Sequence, residues 1–115
     1  MNTNQYTQKT LEALQAAQQL AVEYQHNALE PEHLLHALAS QEQGLIPQLL
    51  TKMGKQPQEI ASRLETMIAR QPKVTGSGRE PDKIYISNDV EKALVAARDR
   101  AQRMKDEYLS VEHLF

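Results

Sequence analysis

The sequence predicts an all-α fold in which one helical unit is used twice about a pseudo-twofold axis. Three observations carry this. Shifting the chain by 80 residues lays residues 6–35 on 86–115 without a gap; Ala13/Ala93, Leu14/Leu94, Ala16/Ala96, Ala17/Ala97, Ala21/Ala101, Leu29/Leu109, Glu32/Glu112, His33/His113 and Leu34/Leu114 then coincide. Such a self-match marks a repeated supersecondary unit whose copies cover each other's apolar faces. Between the matched residues, apolar and small side chains recur at the three-and-four spacing of a helix face. Aromatic residues are also scarce, with one Phe, four Tyr and no Trp. The core must therefore come from Leu, Ile, Val, Met and many alanines, which suits close helix packing.

The first helix is expected to begin at Thr7, whose hydroxyl can cap a free backbone N–H. Apolar or small residues recur along one face of it at Leu14, Ala17, Ala21 and Tyr24. The second copy carries the equivalent stripe at Val90, Leu94, Ala97, Ala101 and Met104 behind Ser87 as cap, with Asp99 and Arg103 four apart on the outer face. The next helix starts at Glu30-Pro31, with Pro at the first helical position, where its missing N–H costs nothing. Leu29 before the cap and Leu34 in the first turn form a hydrophobic staple, repeated by Leu109, Ser110 and Leu114. A short helix is expected over 47–53 with Gly54 as its stop. Another is expected over 57–70, with Ile60, Leu64, Met67 and Ile68 inward, Glu59 and Arg63 paired outward, and Pro72 as terminator. Residues 71–82 hold two Pro and two Gly and read as an irregular connector.

These elements divide the chain into a first repeat over about 1–70, a connector over 71–85 and a partial second repeat over 86–115. The second unit stops at Phe115, just inside a new helix, so the chain reads as a fragment that ends before its second repeat is complete. One domain is the limit at this length.

Composition excludes several classes of function. The formal charge is −2, against the basic surface that nucleic acid requires. Arg98, Arg100, Arg103 and Lys105 cluster, but Asp99, Asp106 and Glu107 interleave with them, as on a solvated helix face. There is no cysteine, hence neither a disulfide framework nor thiolate chemistry, in keeping with a reducing cytoplasm. No apolar run approaches the roughly 20 residues that span a bilayer, so no membrane role is expected. His33 and His36 lie one turn apart behind Glu32, but the zincin order is His-Glu-x-x-His and no third ligand is evident. They read as structural or surface histidines, with no metal. Gly76-Ser77-Gly78 is not followed by Gly-Lys-Ser/Thr and is not a phosphate loop. No nucleophile or acid/base constellation is present.

Several motifs together resemble the amino-terminal domain of Clp-type AAA+ chaperones, a double repeat of four-helix units. They are Tyr6-Thr7, the Ala-Leu-x-Ala-Ala segment at 13–17, Glu30-Pro31-Glu32-His33-Leu34-Leu35, Gly44-Leu45-Ile46-Pro47 with Leu49-Leu50, and the run from Asp106 through Tyr108 to Leu114. The connector Pro72-Lys73-Val74-Thr75-Gly76-Ser77-Gly78 resembles the ClpB disaggregase branch rather than ClpA or ClpC.

The resemblance implies a module that binds unfolded or aggregated polypeptides for an ATP-driven cytoplasmic disaggregase. It implies no cofactor in the chain itself, with ATP and Mg in ATPase modules elsewhere. It also implies a DnaK-type partner system engaged through a middle domain, a homohexameric parent and a monomeric isolated domain. The family's polar functional surface maps onto Thr7, Asp106 and Glu112, with Tyr108 as an apolar neighbour and Glu32 as the repeat-related partner of Glu112. Each has a plainer role beside this one: Thr7 as a cap, and both glutamates at helix starts, where the macrodipole favours a carboxylate. The rival readings are an adaptor- or degron-binding domain of a ClpA- or ClpC-type unfoldase, and a helical scaffold outside the chaperones.

Overall fold

A computed structural model describes residues 6–73, 85–106 and 108–114, the side chain of Glu112 excepted. In chain order the elements are α1 (Gln8–Glu23), β1 (Ala28–Leu29), α2 (Pro31–Ala39), α3 (Leu45–Lys52), α4 (Pro57–Arg70), β2 (Tyr85–Ile86), α5 (Asn88–Arg103) and α6 (Val111–Leu114). The all-α class expected from the sequence holds. Most of the connector, residues 74–84, lies outside the described residues, as do Glu107 and Phe115.

The two longest helices start and stop in the same way. Thr7 and Ser87 are extended N-caps whose hydroxyl oxygens accept from the N–H of Thr10 and Val90. At the other end, Gln25 (φ 60°) and Lys105 (φ 59°) enter the left-handed region. There the N–H of His26 bonds Ala21 O at 2.9 Å and that of Asp106 bonds Ala101 O at 2.8 Å. The N–H groups of Gln25 and Lys105 bond Val22 O and Gln102 O, each at 3.0 Å. This is the Schellman closure, which satisfies carbonyls that the helix end would leave open. It delivers His26 and Asp106 to equivalent places in the two units.

Between helices the units exchange backbone. β1 pairs in parallel with β2, Ala28 opposite Tyr85 and Leu29 opposite Ile86. Tyr6 bridges to Leu109, also in parallel. Ser87 N–H donates to Leu29 O at 3.1 Å, and Thr7 N–H donates to Leu109 O at 3.0 Å. The 80-residue offset converts one crossing into the other, since it takes Tyr6 to Ile86 and Leu29 to Leu109. Each unit thus anchors its first helix on the other unit's staple leucine. One continuous core results, running from Tyr6, Leu14, Leu34, Leu38, Ile46 and Leu50 into Val90, Leu94, Leu109 and Val111. Across the units α2 touches α5 and α3 touches α6.

Three expectations need correction. The short helix starts at Leu45, not Pro47, from the extended cap Gly44. Pro47 then occupies the third helical position, within the first turn that needs no N–H donor, and Ile46 is drawn into the core with no exposed surface. Met104 is 60% exposed rather than buried, because α5 ends at Arg103 and Met104 is its cap. Met67 is 50% exposed, so the inward face of α4 is Leu64 and Ile68, both buried, with Ile60 partly buried against the core. The outward Glu59–Arg63 pair forms at 3.1 Å.

Candidate functional site

Thr7 sits at one of the two crossings, where the protons of both threonine hydroxyls, Thr7 and Thr10, have a defined destination. Thr10 is fully buried, and its hydroxyl donates to Leu109 O at 3.1 Å. Its oxygen therefore receives the Thr7 hydroxyl at 2.9 Å, while Thr7 Oγ1 accepts from Thr10 N–H at 3.3 Å. Thr10 escaped the sequence reading because its counterpart, Val90, is apolar.

From Leu109 the chain leads back through Tyr108, 49% exposed, to Asp106 and Met104 on the turn that closes α5. The Asp106 side chain is 43% exposed, and its Oδ2 lies 2.9 Å from His113 Nε2. His113 itself is buried. Its Nδ1 accepts from the N–H of Ser110 at 2.9 Å and lies 3.2 Å from the Ser110 hydroxyl. Because Nδ1 is an acceptor, the ring proton resides on Nε2 and is donated to Asp106. The turn thus exposes a carboxylate between two apolar side chains, Met104 and Tyr108. The Glu112 side chain, expected beside it, is outside the described residues. Thr7, Tyr108 and Asp106 are gathered along one crossing. Glu32 belongs to the other, where Oε2 accepts from Gln71 Nε2 at 2.7 Å.

The first unit repeats the imidazole arrangement with a different ending. His33 Nδ1 accepts from Glu30 N–H at 2.9 Å, and Nε2 lies 2.9 Å from His26 Nδ1. His33 therefore donates to a second, buried histidine where His113 donates to a carboxylate. Both ring nitrogens of His33 are engaged, which accounts for it as a structural residue. Burial above all, then repulsion from His26 and His36, pushes the His33 pKa from 6.5 down to about 4. His36 points the other way and meets Glu65 Oε1 at 3.0 Å, tying α2 to α4. Among the described residues no group of three or more His, Cys, Asp or Glu side chains could hold a metal ion. An open depression of about 670 Å³ lies elsewhere, between α1 and the end of α2; it is bordered by Lys9, Glu12, Glu23, His36 and Gln41 and not by Thr7, Glu32, Asp106 or Tyr108.

The family model of the Clp repeat (R) N-terminal domain matches residues 5–115. The chain belongs to this family. This Clp N-terminal domain is 44% identical over all its 115 residues to the chaperone protein ClpB of Nitratidesulfovibrio vulgaris, and spans 13% of that protein. It is 43% identical over 114 residues to the ClpB of Porphyromonas gingivalis, again spanning 13%. Its fold matches the N-terminal domain of the chaperone ClpD from Arabidopsis thaliana at a TM-score of 0.72 and 16% identity, over 99% of this chain and 75% of that one. A chain from a preliminary structural investigation of a malarial protein secretion system matches at a TM-score of 0.79 and 25% identity, over 96% of this chain and 73% of that one. The Clp N-terminal domain described here is thus of the ClpB chaperone type, as the motifs implied.

Proposed function

We propose that this domain binds unfolded or aggregated polypeptides for a ClpB-type disaggregase, and that the client meets it at the crossing formed by Thr7, Met104, Asp106 and Tyr108. The observation that carries this is the exposed carboxylate held between exposed apolar side chains. Unfolded clients expose hydrophobic segments, often edged by basic residues, and such a surface complements both features. Glu112 is included on the family resemblance alone, and Glu32 is its counterpart in the repeat. In this reading ATP and Mg are bound by ATPase modules of a homohexameric cytoplasmic parent, which threads the captured chain and works with a DnaK-type system. The domain itself is not an enzyme. No helix among the described residues is long and apolar enough to cross a membrane.

The test is reactivation of a heat-aggregated reporter enzyme by a full-length ClpB carrying this domain. Asp106→Asn is the suitable variant, because its amide oxygen still accepts from His113 whereas Asp106→Ala would leave a buried N–H without a partner. Slower reactivation with an unchanged domain melting temperature is expected. Undiminished reactivation would remove Asp106 from client binding.

A further inference from the structure

The two units supply an internal comparison. Both contain a buried histidine at the staple turn, His33 or His113, whose Nδ1 takes the N–H of the residue three before it. Both aim Nε2 at the residue delivered by the Schellman closure seven positions earlier. In the first unit that residue is His26, 4% exposed and uncharged when it accepts. The fold therefore needs an acceptor at this place, and an anion is not required. In the second unit the acceptor is a carboxylate whose side chain is 43% exposed. The imidazole that bonds it is buried, His113 being 2% exposed, and α5 also grips α6 through Arg100 Nη1 on His113 O at 3.0 Å. A short exposed side chain would otherwise sample several rotamers, and a charge fixed in advance binds with less ordering cost.

We propose that His113 is a positioning residue for client binding, one that fixes Asp106 as the only charged version of a device the domain carries twice among its described residues. The inference rests on the client-binding reading above and adds what makes the second unit's turn specific for a cationic group. Oδ2 is held by the imidazole, so Oδ1 is left to meet an arginine or lysine of the client. The first unit's copy of the turn offers no such anion, and the carboxylate at that crossing, Glu32, already accepts from Gln71, so cationic segments favour the Asp106 crossing over its pseudo-equivalent.

The probe is a fluorescein-labelled unfolded peptide of alternating Leu and Arg, compared with its Leu–citrulline counterpart, titrated into the 115-residue chain. Loss of the charge pair in Asp106→Asn should weaken the Arg peptide about fivefold and leave the citrulline peptide within about twofold, the scale of a part-exposed ion pair. His113→Asn keeps an acceptor for Ser110 but cannot reach Asp106; it should weaken the Arg peptide selectively by about threefold. His113→Gln, whose amide N–H can reach Asp106, should restore binding. The double variant His113→Asn with Asp106→Asn should be no weaker than Asp106→Asn alone. If Asp106→Asn weakens binding and His113→Asn does not, the positioning role is wrong while the client site stands. If His113→Asn weakens both peptides equally, or adds to Asp106→Asn, His113 serves the fold alone and the proposal falls. If Asp106→Asn has no effect, the site and the proposal fall together.

Discussion

His33 has a pKa near 6.5 in the unfolded chain and about 4 in the fold, because it is buried beside His26 and His36. Between these values the unfolded chain holds more protons, so stability rises with pH across this window. The contribution of His33 is complete above pH 6.5 and is lost as pH falls toward 4, at no more than about 1.4 kcal/mol per pH unit. Urea denaturation at pH 7, 6, 5 and 4.5 should show this slope. His33→Asn, which keeps an acceptor for Glu30 N–H and does not titrate, should flatten it; an unchanged slope would assign the pH dependence to other groups. The structural role of this histidine was legible in the sequence, which showed Glu-His-Leu twice and no third ligand. Its partner was not legible, because His26 and Asp106 are different residue types and drop out of an identity match. The signal that could have found them is the offset itself, which aligns them at the position just after a helix end.

Helix boundaries were readable wherever a cap was written in a side chain. Thr7, Ser87 and Pro57 each mark the start or first residue of the helix found. They failed where the cap was a glycine: Gly44 starts α3, and the proline chosen instead lies inside the helix. Both strands were missed. Two residues of strand carry no periodicity, and their pairing joins segments 57 positions apart, which local pattern cannot express. The helix ends at Gln25 and Lys105 were also unmarked, because the left-handed residue there is not glycine. This suggests a gain that nature left unused. Gln25 is exposed and has φ 60°, so Gln25→Gly should relieve backbone strain and stabilise the domain by roughly 0.5–1 kcal/mol, net of the extra freedom glycine has when unfolded. Thermal denaturation would show the shift, and a lower melting temperature would mean that the Gln25 side chain contributes more than the strain costs.

At the scale of the molecule, the repeat explains where the proposed site lies. Each unit's first helix is seated on the other unit's staple, through Thr7 on Leu109 and Ser87 on Leu29. The turns that close α1 and α5 follow from the same symmetry, yet at the position the closure delivers the first has the buried His26 and the second the exposed carboxylate Asp106. The double repeat, and with it the fold class, was visible in nine matched residues. The asymmetry was not, since it depends on which copy of an equivalent turn is buried. The most direct measurement is a backbone amide NMR titration of the 115-residue chain with a permanently unfolded, reduced and alkylated client protein. Shift changes concentrated at Thr7, Met104, Asp106, Tyr108 and Ser110, and diminished by Asp106→Asn, are the result expected. Changes concentrated instead around Lys9, Glu12, His36 and Gln41, in the open depression between α1 and α2, would contradict the assignment of the client site.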